Sequence, residues 1–306
     1  MTVHTRIVQF LDYLRVEKKY SANTVVSYET DLTGMADYCA SGYDVNDLSQ
    51  ITHIHIRSWI VSLVSAGVST VSVNRKISAL RSFYKWLNKR SYMAKNPMLK
   101  ITAPKMPKRL PVTIQNMNME KLLEQPIQTT SDSLTNYILI RDTFILVLLY
   151  STGIRRAELI GLKISDFDLY RKEVRVTGKG NKIRSIPLTD TLISQMKDYL
   201  KSRSHWGDKS NDVLLLTNTG KPVYPRFIHD IVSRQLGELT TLSKKSPHVL
   251  RHTFATHMLD RGADLNGIKE ILGHASLAAT QVYTHSSIQK LKDVYSKAHP
   301  GAQTKK

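Results

Sequence analysis

Apolar residues in the first ninety positions recur at spacings of three and four. Ile7, Phe10, Leu11 and Leu14 form one such stripe; Val25, Tyr28, Leu32 and Met35 a second; Ile56, Trp59, Ile60 and Leu63 a third; Val73, Ile77, Leu80, Tyr84 and Leu87 a fourth. That period puts each set on one face of a helix, so four amphipathic helices are predicted. Ser21 or Asn23 is placed to cap the second, and Gly67 to end the third. Asn96-Pro97, Pro104, Pro107 and Pro111 then break the pattern, because proline lacks a backbone donor and clashes with the preceding turn. The expected organisation is a helical domain over 1–99, a basic, proline-rich linker over 100–112 and a second domain over 113–306.

In the second domain, Leu134 to Tyr150 reads as a helix, apolar all round from Thr143 onward and therefore buried. Glu173–Thr177 and Ile183–Pro187 alternate about Gly178-Lys179-Gly180-Asn181, which predicts a β-hairpin with Lys179 at its exposed tip. Ser246-Pro247 supplies a capping residue and a first-turn proline, and Gly262 a stop, for another helix. Short helices are expected through Ile271-Leu272 and from Ser276 to Tyr283. The fold class is mainly α with a small β-hairpin, in two domains.

Charge sharpens the picture. The 306-residue chain has 44 Lys plus Arg against 25 Asp plus Glu, a formal net charge of +19, which points to a polyanionic partner. No acidic residue occurs from Leu48 through Met119, whereas Arg57, Arg75, Lys76, Arg81, Lys85, Lys89, Arg90, Lys95, Lys100, Lys105, Lys108 and Arg109 do. In the fourth helix Arg75, Lys76, Arg81 and Lys85 lie off the apolar stripe, so a basic face is turned outward. These four, with Lys105 and Lys108 of the linker, are the candidate DNA-binding residues. A membrane surface fits less well, because the basic positions are interleaved with a helical core pattern instead of forming a terminal polybasic tail. Met1 to Tyr20 lacks the apolar stretch of a signal peptide, and the run Phe144 to Tyr150 is too short to cross a bilayer, so a cytosolic protein with no membrane partner is expected. A single cysteine, Cys39, excludes an internal disulfide.

The candidate chemistry lies in the second domain. Arg155 follows a glycine turn in Thr152-Gly153-Ile154-Arg155, and Arg251 stands in His248-Val249-Leu250-Arg251-His252. Two guanidinium groups suit a phosphodiester, since each is permanently charged and presents N–H donors in a planar fork. Glu158, three residues after Arg155, is placed to orient an arginine. His248 and His252 are spaced as a metal pair would be, but the glutamate that zinc hydrolases place beside the first histidine is missing, so no metal and no other cofactor is expected. Taken singly, such a histidine pair is more often two surface residues, and Tyr283 is one of fourteen tyrosines.

Together, in order, these residues resemble the tyrosine recombinases, the integrase family of site-specific DNA recombinases, and within it the Xer type. Arg155, Lys179, His248, Arg251, His274 and Tyr283 match the six positions of the family pattern, in the local contexts Thr-Gly-Ile-Arg155, Gly-Lys179-Gly, His248-Val-Leu-Arg251-His252, Leu-Gly-His274 and Val-Tyr283-Thr-His285. The resemblance implies a SAM-like four-helix core-binding domain joined to a mixed α/β catalytic domain, the two closing around a duplex. It implies that Tyr283 is the nucleophile of a 3′-phosphotyrosyl intermediate, with Arg155 and Arg251 on the phosphate, His248 as general base, Lys179 as general acid and His274 on the phosphate. Lys182 is a rival for the lysine role. No ATP or divalent ion is required.

The implied partners are a double-stranded recombination site and a homo- or hetero-tetramer on synapsed DNA, with a paralogous recombinase and a septal DNA translocase as further partners of Xer-type proteins. The tail from Ser286 through His299, with Ile288, Leu291 and Val294 as an apolar stripe, suits docking on a neighbour or on its own domain. Three other readings share some of these features: a type IB topoisomerase, a DNA-binding protein with a vestigial site, and a metal-dependent nuclease. Chromosome-dimer resolution and mobile-element integration are both compatible with the residues.

Overall fold

The computed structural model describes residues 2–93, 95–105, 113–124, 132–178, 180–206, 212–240, 242, 245–273, 295 and 298. The chain divides into two units, Met1–Arg109 and Leu110–Lys306.

The first unit holds helices α1 (Val3–Val16), α2 (Ala22–Tyr43), α3 (His53–Ser65) and α4 (Thr70–Lys89). The stripes read from sequence are its core: Ile7, Phe10, Leu11, Leu14, Val25, Leu32, Met35, Ile56, Trp59, Val73, Ile77, Leu80, Tyr84 and Leu87 are all buried. Ser21 caps α2, its hydroxyl accepting the Thr24 N–H at 3.3 Å, and Gly67 takes a φ of 76° just past the end of α3, where an L side chain would be strained. Cys39 is buried and unpaired.

The stretch that follows Asn96 is less extended than its prolines suggest. Pro97–Lys100 form a single 3₁₀ turn, and Met98 and Ile101 are buried in the first unit's core. The Arg81 guanidinium donates to the Ile101 carbonyl at 3.0 Å and the Asn74 amide to that of Pro104, also at 3.0 Å. Proline removes donors but leaves carbonyls, and α4 supplies the donors for two of them. Residues 106–112, with Lys108, lie outside the described residues.

The second unit is built on α6 (Ser133–Thr152), against which α8 (Asp190–Arg203), α9 (Pro225–Leu239) and α10 (Pro247–Asp260) pack. Its other described elements are α5 (Asn116–Glu124), α7 (Arg156–Ile160) and α11 (Leu265–Leu272), together with strands β1 (Phe167–Asp168), β2 (Glu173–Thr177) and β3 (Ile183–Pro187). Helix α6 starts on Asp132, whose carboxylate accepts the Leu134 and Thr135 N–H groups. It is buried without interruption from Phe144 to Thr152. Among the described residues it is the one helix long and apolar enough to cross a membrane, and here that apolar surface is covered by protein. The predicted hairpin is present, with Val174 opposite Ile186 and Thr177 opposite Ile183, and β1 adds a short third antiparallel strand. Ser246 occupies the cap position of α10, but its hydroxyl makes no capping bond. The second unit is anchored where it begins: Ile114 gives its N–H to Thr253 at 3.0 Å, and its carbonyl lies 2.9 Å from His257 Nε2. The other nitrogen of that buried ring is 2.9 Å from the Tyr150 hydroxyl.

Helix α6 ends on Gly153, with φ 59°. A Cβ there would stand 2.5 Å from Phe254 Cδ1 and 2.8 Å from Leu272 Cδ2, so the absence of a side chain lets α10 and α11 close over the turn that carries Arg155. Gly262, past the end of α10, has φ 80° but open space around it. Gly262→Ala should therefore cost only the left-handed strain, about 1 kcal/mol, whereas Gly153→Ala should cost about 2–4 kcal/mol because overpacking is added. Urea unfolding of the two variants checks this, and equal losses would refute the collision at Gly153.

Candidate active site

The turn after α6 runs Gly153, Ile154, Arg155, and Ile154 is fully buried, which fixes where Arg155 emerges. Arg155 precedes the first turn of α7, and its backbone N–H is taken by Glu158 Oε2 at 2.8 Å. The same carboxylate accepts Arg155 Nη1 through Oε1 at 2.8 Å. Glu158 thus holds both ends of Arg155, the supporting role the sequence suggested.

A second arginine meets that carboxylate from the other side. Arg184 of β3 donates through Nη1 and Nη2 to Glu158 Oε1 and Oε2 at 3.1 and 2.8 Å. Its burial has a signal in the sequence: period-two alternation puts Arg184 on the same face as Ile186, which is buried, while Ile183 is exposed. A buried guanidinium is tolerated because it is paired and its donors are used.

Three successive carbonyls at the end of α11 bring the arginines together. Arg184 Nε donates to the Ile271 oxygen at 2.7 Å, Arg251 Nη2 to that of Leu272 at 2.7 Å, and Arg155 Nη2 to that of Gly273 at 3.3 Å. The last carbonyls of a helix have no partner within it and carry the negative end of its dipole, so cations belong there. Arg251 also donates through Nη1 to the Gly153 carbonyl at 2.5 Å, joining α10 to the Arg155 turn. Gly273 has φ 64°, and a Cβ on it would lie 3.2–3.3 Å from the Arg184 guanidinium.

The electrostatics are unbalanced. Three guanidinium groups surround one carboxylate, a formal surplus of two positive charges that a dianionic phosphorane would neutralise. Arg251 shows the tension: burial, and then the neighbouring Arg155, bring its pKa down to about 10, and it stays charged at neutral pH. Glu158 lies below the usual carboxylate range. Burial alone would raise it, but hydrogen bonds from Arg184 and from the Arg155 backbone, with the charges of both arginines, outweigh that effect. Each N–H used on protein leaves others of the same fork for a ligand, since a guanidinium has five.

Of the other candidates, His248 is exposed in the first turn of α10 and His252 half-buried one turn on. Among the described residues no group of three or more His, Cys, Asp or Glu is arranged to hold a metal ion. Lys182 is exposed in the loop of the hairpin, where its carbonyl accepts the Gly178 N–H at 2.7 Å. Lys179, His274 and Tyr283 lie outside the described residues, as do Ile288, Leu291 and Val294 of the tail. Two tail residues are described: Tyr295 and Ala298 are buried in the core of their own unit, and the Tyr295 hydroxyl donates to the Ser151 carbonyl at 2.6 Å.

In the first unit the basic face is partly tied down. Asp31 of α2, 1% exposed, takes Arg75 at 2.7 Å and Lys76 at 2.9 Å. With 15% of its side chain exposed, Lys76 faces inward, whereas about half of Arg75 remains exposed. Arg81 is exposed while holding the Ile101 carbonyl, and Lys85 and Lys105 are exposed.

Comparison with known proteins follows the same division of the chain. Residues 113–290 match the phage integrase family, and residues 7–91 match the phage integrase N-terminal SAM-like domain. The chain is 37% identical over 297 residues to tyrosine recombinase XerC of Listeria monocytogenes serotype 4a (strain HCC23), covering 96% of this chain and 97% of that protein. It is 38% identical over 300 residues to tyrosine recombinase XerC of Pelobacter propionicus, covering 98% and 96%. A crystal structure of the XerH site-specific recombinase bound to palindromic difH substrate, in a post-cleavage complex, superposes with a TM-score of 0.67 at 25% identity over 89% of this chain and 79% of that one.

A carboxylate whose folded pKa is depressed contributes stability that is complete above its unfolded pKa, about 4.3 for glutamate, and is lost as pH falls through the folded value. Glu158→Gln should therefore be less stable than the parent at pH 7, on the order of 3–5 kcal/mol because Arg184 is left buried without a counter-charge. The gap should narrow on acidification below about pH 4. Urea titrations at both pH values check this; a gap that does not change with pH would mean the carboxylate is not held ionised.

Proposed function

The chain belongs to the phage integrase family, the tyrosine recombinases, and on that premise we propose that it is a Xer-type recombinase in which Tyr283 attacks a phosphodiester held by Arg155 and Arg251. It is a site-specific recombinase, an enzyme that cuts DNA and rejoins it, and DNA is its partner. The observation that carries the residue assignment is the convergence of Arg155 and Arg251 on the adjacent Gly273 and Leu272 carbonyls, with more positive charge than Glu158 can balance.

In the cleavage step the Tyr283 phenol oxygen bonds to phosphorus and the bond from phosphorus to the 5′ oxygen breaks. A 3′-phosphotyrosyl ester and a free 5′-hydroxyl result. The phenol proton passes to His248, the general base, and the departing oxygen takes a proton from Lys179, the general acid. Arg155 and Arg251 neutralise the non-bridging oxygens as charge builds, and His274 hydrogen-bonds the same phosphate. Rejoining reverses these steps with a new 5′-hydroxyl. One ester is exchanged for another, so ATP is not consumed, and the arginines supply the charge stabilisation that metal ions supply elsewhere.

The helical domain, 1–99, with the linker 100–112, provides the duplex-binding face through Arg75, Arg81, Lys85, Lys105 and Lys108, with Lys76 bracing Asp31 behind it, while 113–306 carries the chemistry. Exchange between two duplexes cuts four strands and so requires four protomers, a homo-tetramer or a hetero-tetramer with a paralogue, acting on cytoplasmic DNA. The Xer reading adds a septal DNA translocase as partner and chromosome-dimer resolution as the task, with mobile-element exchange as the other use of the same chemistry. Incubating the protein with nicked duplexes from its host genome and sequencing the covalent adducts tests activity, strand polarity and target together.

Two variants test the assignment on a nicked suicide duplex. Tyr283→Phe should bind DNA but form no covalent adduct; an adduct would show that another residue is the nucleophile. Arg251→Ala should lower the cleavage rate by about 10²- to 10³-fold while keeping most DNA affinity in a gel-shift assay. If binding falls as far as cleavage, Arg251 is a docking contact.

A further inference from the structure

Arg184 is absent from the set just described, yet it makes as many hydrogen bonds to the site's framework as Arg155 does. Its fork closes on both oxygens of Glu158, its Nε reaches the Ile271 carbonyl, and its side chain packs tightly beside Gly273, 3.2–3.3 Å from where a Cβ would stand. With 5% of its surface exposed, it is not placed to reach a DNA backbone itself. The group it can influence is Arg155. Glu158 carries Arg155 by its backbone N–H and by Nη1, and the Gly273 carbonyl accepts Arg155 Nη2. Both supports of the Arg155 fork therefore rest on Arg184: Glu158 directly, and Gly273 through the end of α11.

We infer that Arg184 is a positioning residue for the cleavage and rejoining reaction: it fixes the orientation of the Arg155 guanidinium toward the scissile phosphate by clamping Glu158 to the Ile271 carbonyl at the C-terminal end of α11. This deepens the phosphate-holding role proposed above for Arg155 and rests on it. A planar fork binds two oxygens only when its orientation is held, so a loosened Arg155 keeps its charge but loses its aim. Lysine at 184 would keep the charge but cannot bridge both carboxylate oxygens and the Ile271 carbonyl in one plane.

The test uses the full-length protein and two suicide duplexes, one with the normal scissile phosphodiester and one in which a methylphosphonate replaces it, removing the negative charge that Arg155 neutralises. On the normal duplex Arg184→Lys should cleave about 10- to 100-fold more slowly than the parent, the range for loss of a group that orients a ligand-binding side chain. On the methylphosphonate most of that deficit should disappear, as it should for Arg155→Ala, because the misdirected group is no longer needed. A general structural defect would slow both substrates alike.

If Arg155→Ala is relieved on the neutral linkage and Arg184→Lys is not, the inference fails while the role of Arg155 stands. If neither is relieved, the phosphate-holding reading itself fails. Should Arg184→Lys not fold, Gly178→Ala decides. A Cβ there would stand 3.3 Å from Glu158 Oε1 and 3.4 Å from Arg184 Nη1, pressing on the pair without removing either charge. A deficit relieved by the methylphosphonate then supports the inference, and one that persists overturns it.

Discussion

The bond between Arg184 and Glu158 is the constraint on which the site depends. A carboxylate buried beside the Arg155 turn would normally be protonated or excluded, and a buried guanidinium would be costly. Each makes the other tolerable, and the pair then serves as a fixed anchor. From it Arg155 is hung by two bonds and the end of α11 by one, and Arg251 ties α10 to both α11 and the Gly153 turn. Elements distant in sequence thus meet at one helix terminus, whose unpaired carbonyls are the natural seat for cations.

Such an arrangement shapes the rest of the unit. The α6 helix must end where it does, on a residue without a side chain, for Phe254 and Leu272 to close over the turn. It must also be buried from Phe144 onward for its end to stay put. The site is preorganised in the sense that matters for phosphoryl chemistry: its charges are held by backbone carbonyls and a carboxylate before any substrate arrives.

Much of this was legible in the sequence because the signals are local. Helix limits followed from Ser21, Gly67 and Gly262, each acting on its own few neighbours. Arg155, Glu158 and Arg251 announced themselves by residue type and spacing. What escaped depends on residues far apart in the chain. Arg184 looked like one polar position of a hairpin, and only the Glu158 side chain explains why it is buried. Lys76 looked like part of an outward basic face, yet Asp31, forty-five residues earlier, draws it inward. The prolines after Asn96 marked a break in helix correctly but did not reveal that Met98 and Ile101 would be buried, because burial there depends on the grooves of α3 and α4.

The surplus charge has a consequence for the enzyme at rest. Two guanidinium groups left short of counter-charge attract any tetrahedral oxyanion of the right size, so free phosphate or sulfate competes for the seat proposed for the DNA phosphate. Occupancy by such an ion would firm up the folded domain by mass action, as any ligand that prefers the native state does. DNA must displace that occupant. The affinity to do so has to come from duplex contacts outside the seat, which gives the basic first unit a thermodynamic reason to be part of the same polypeptide.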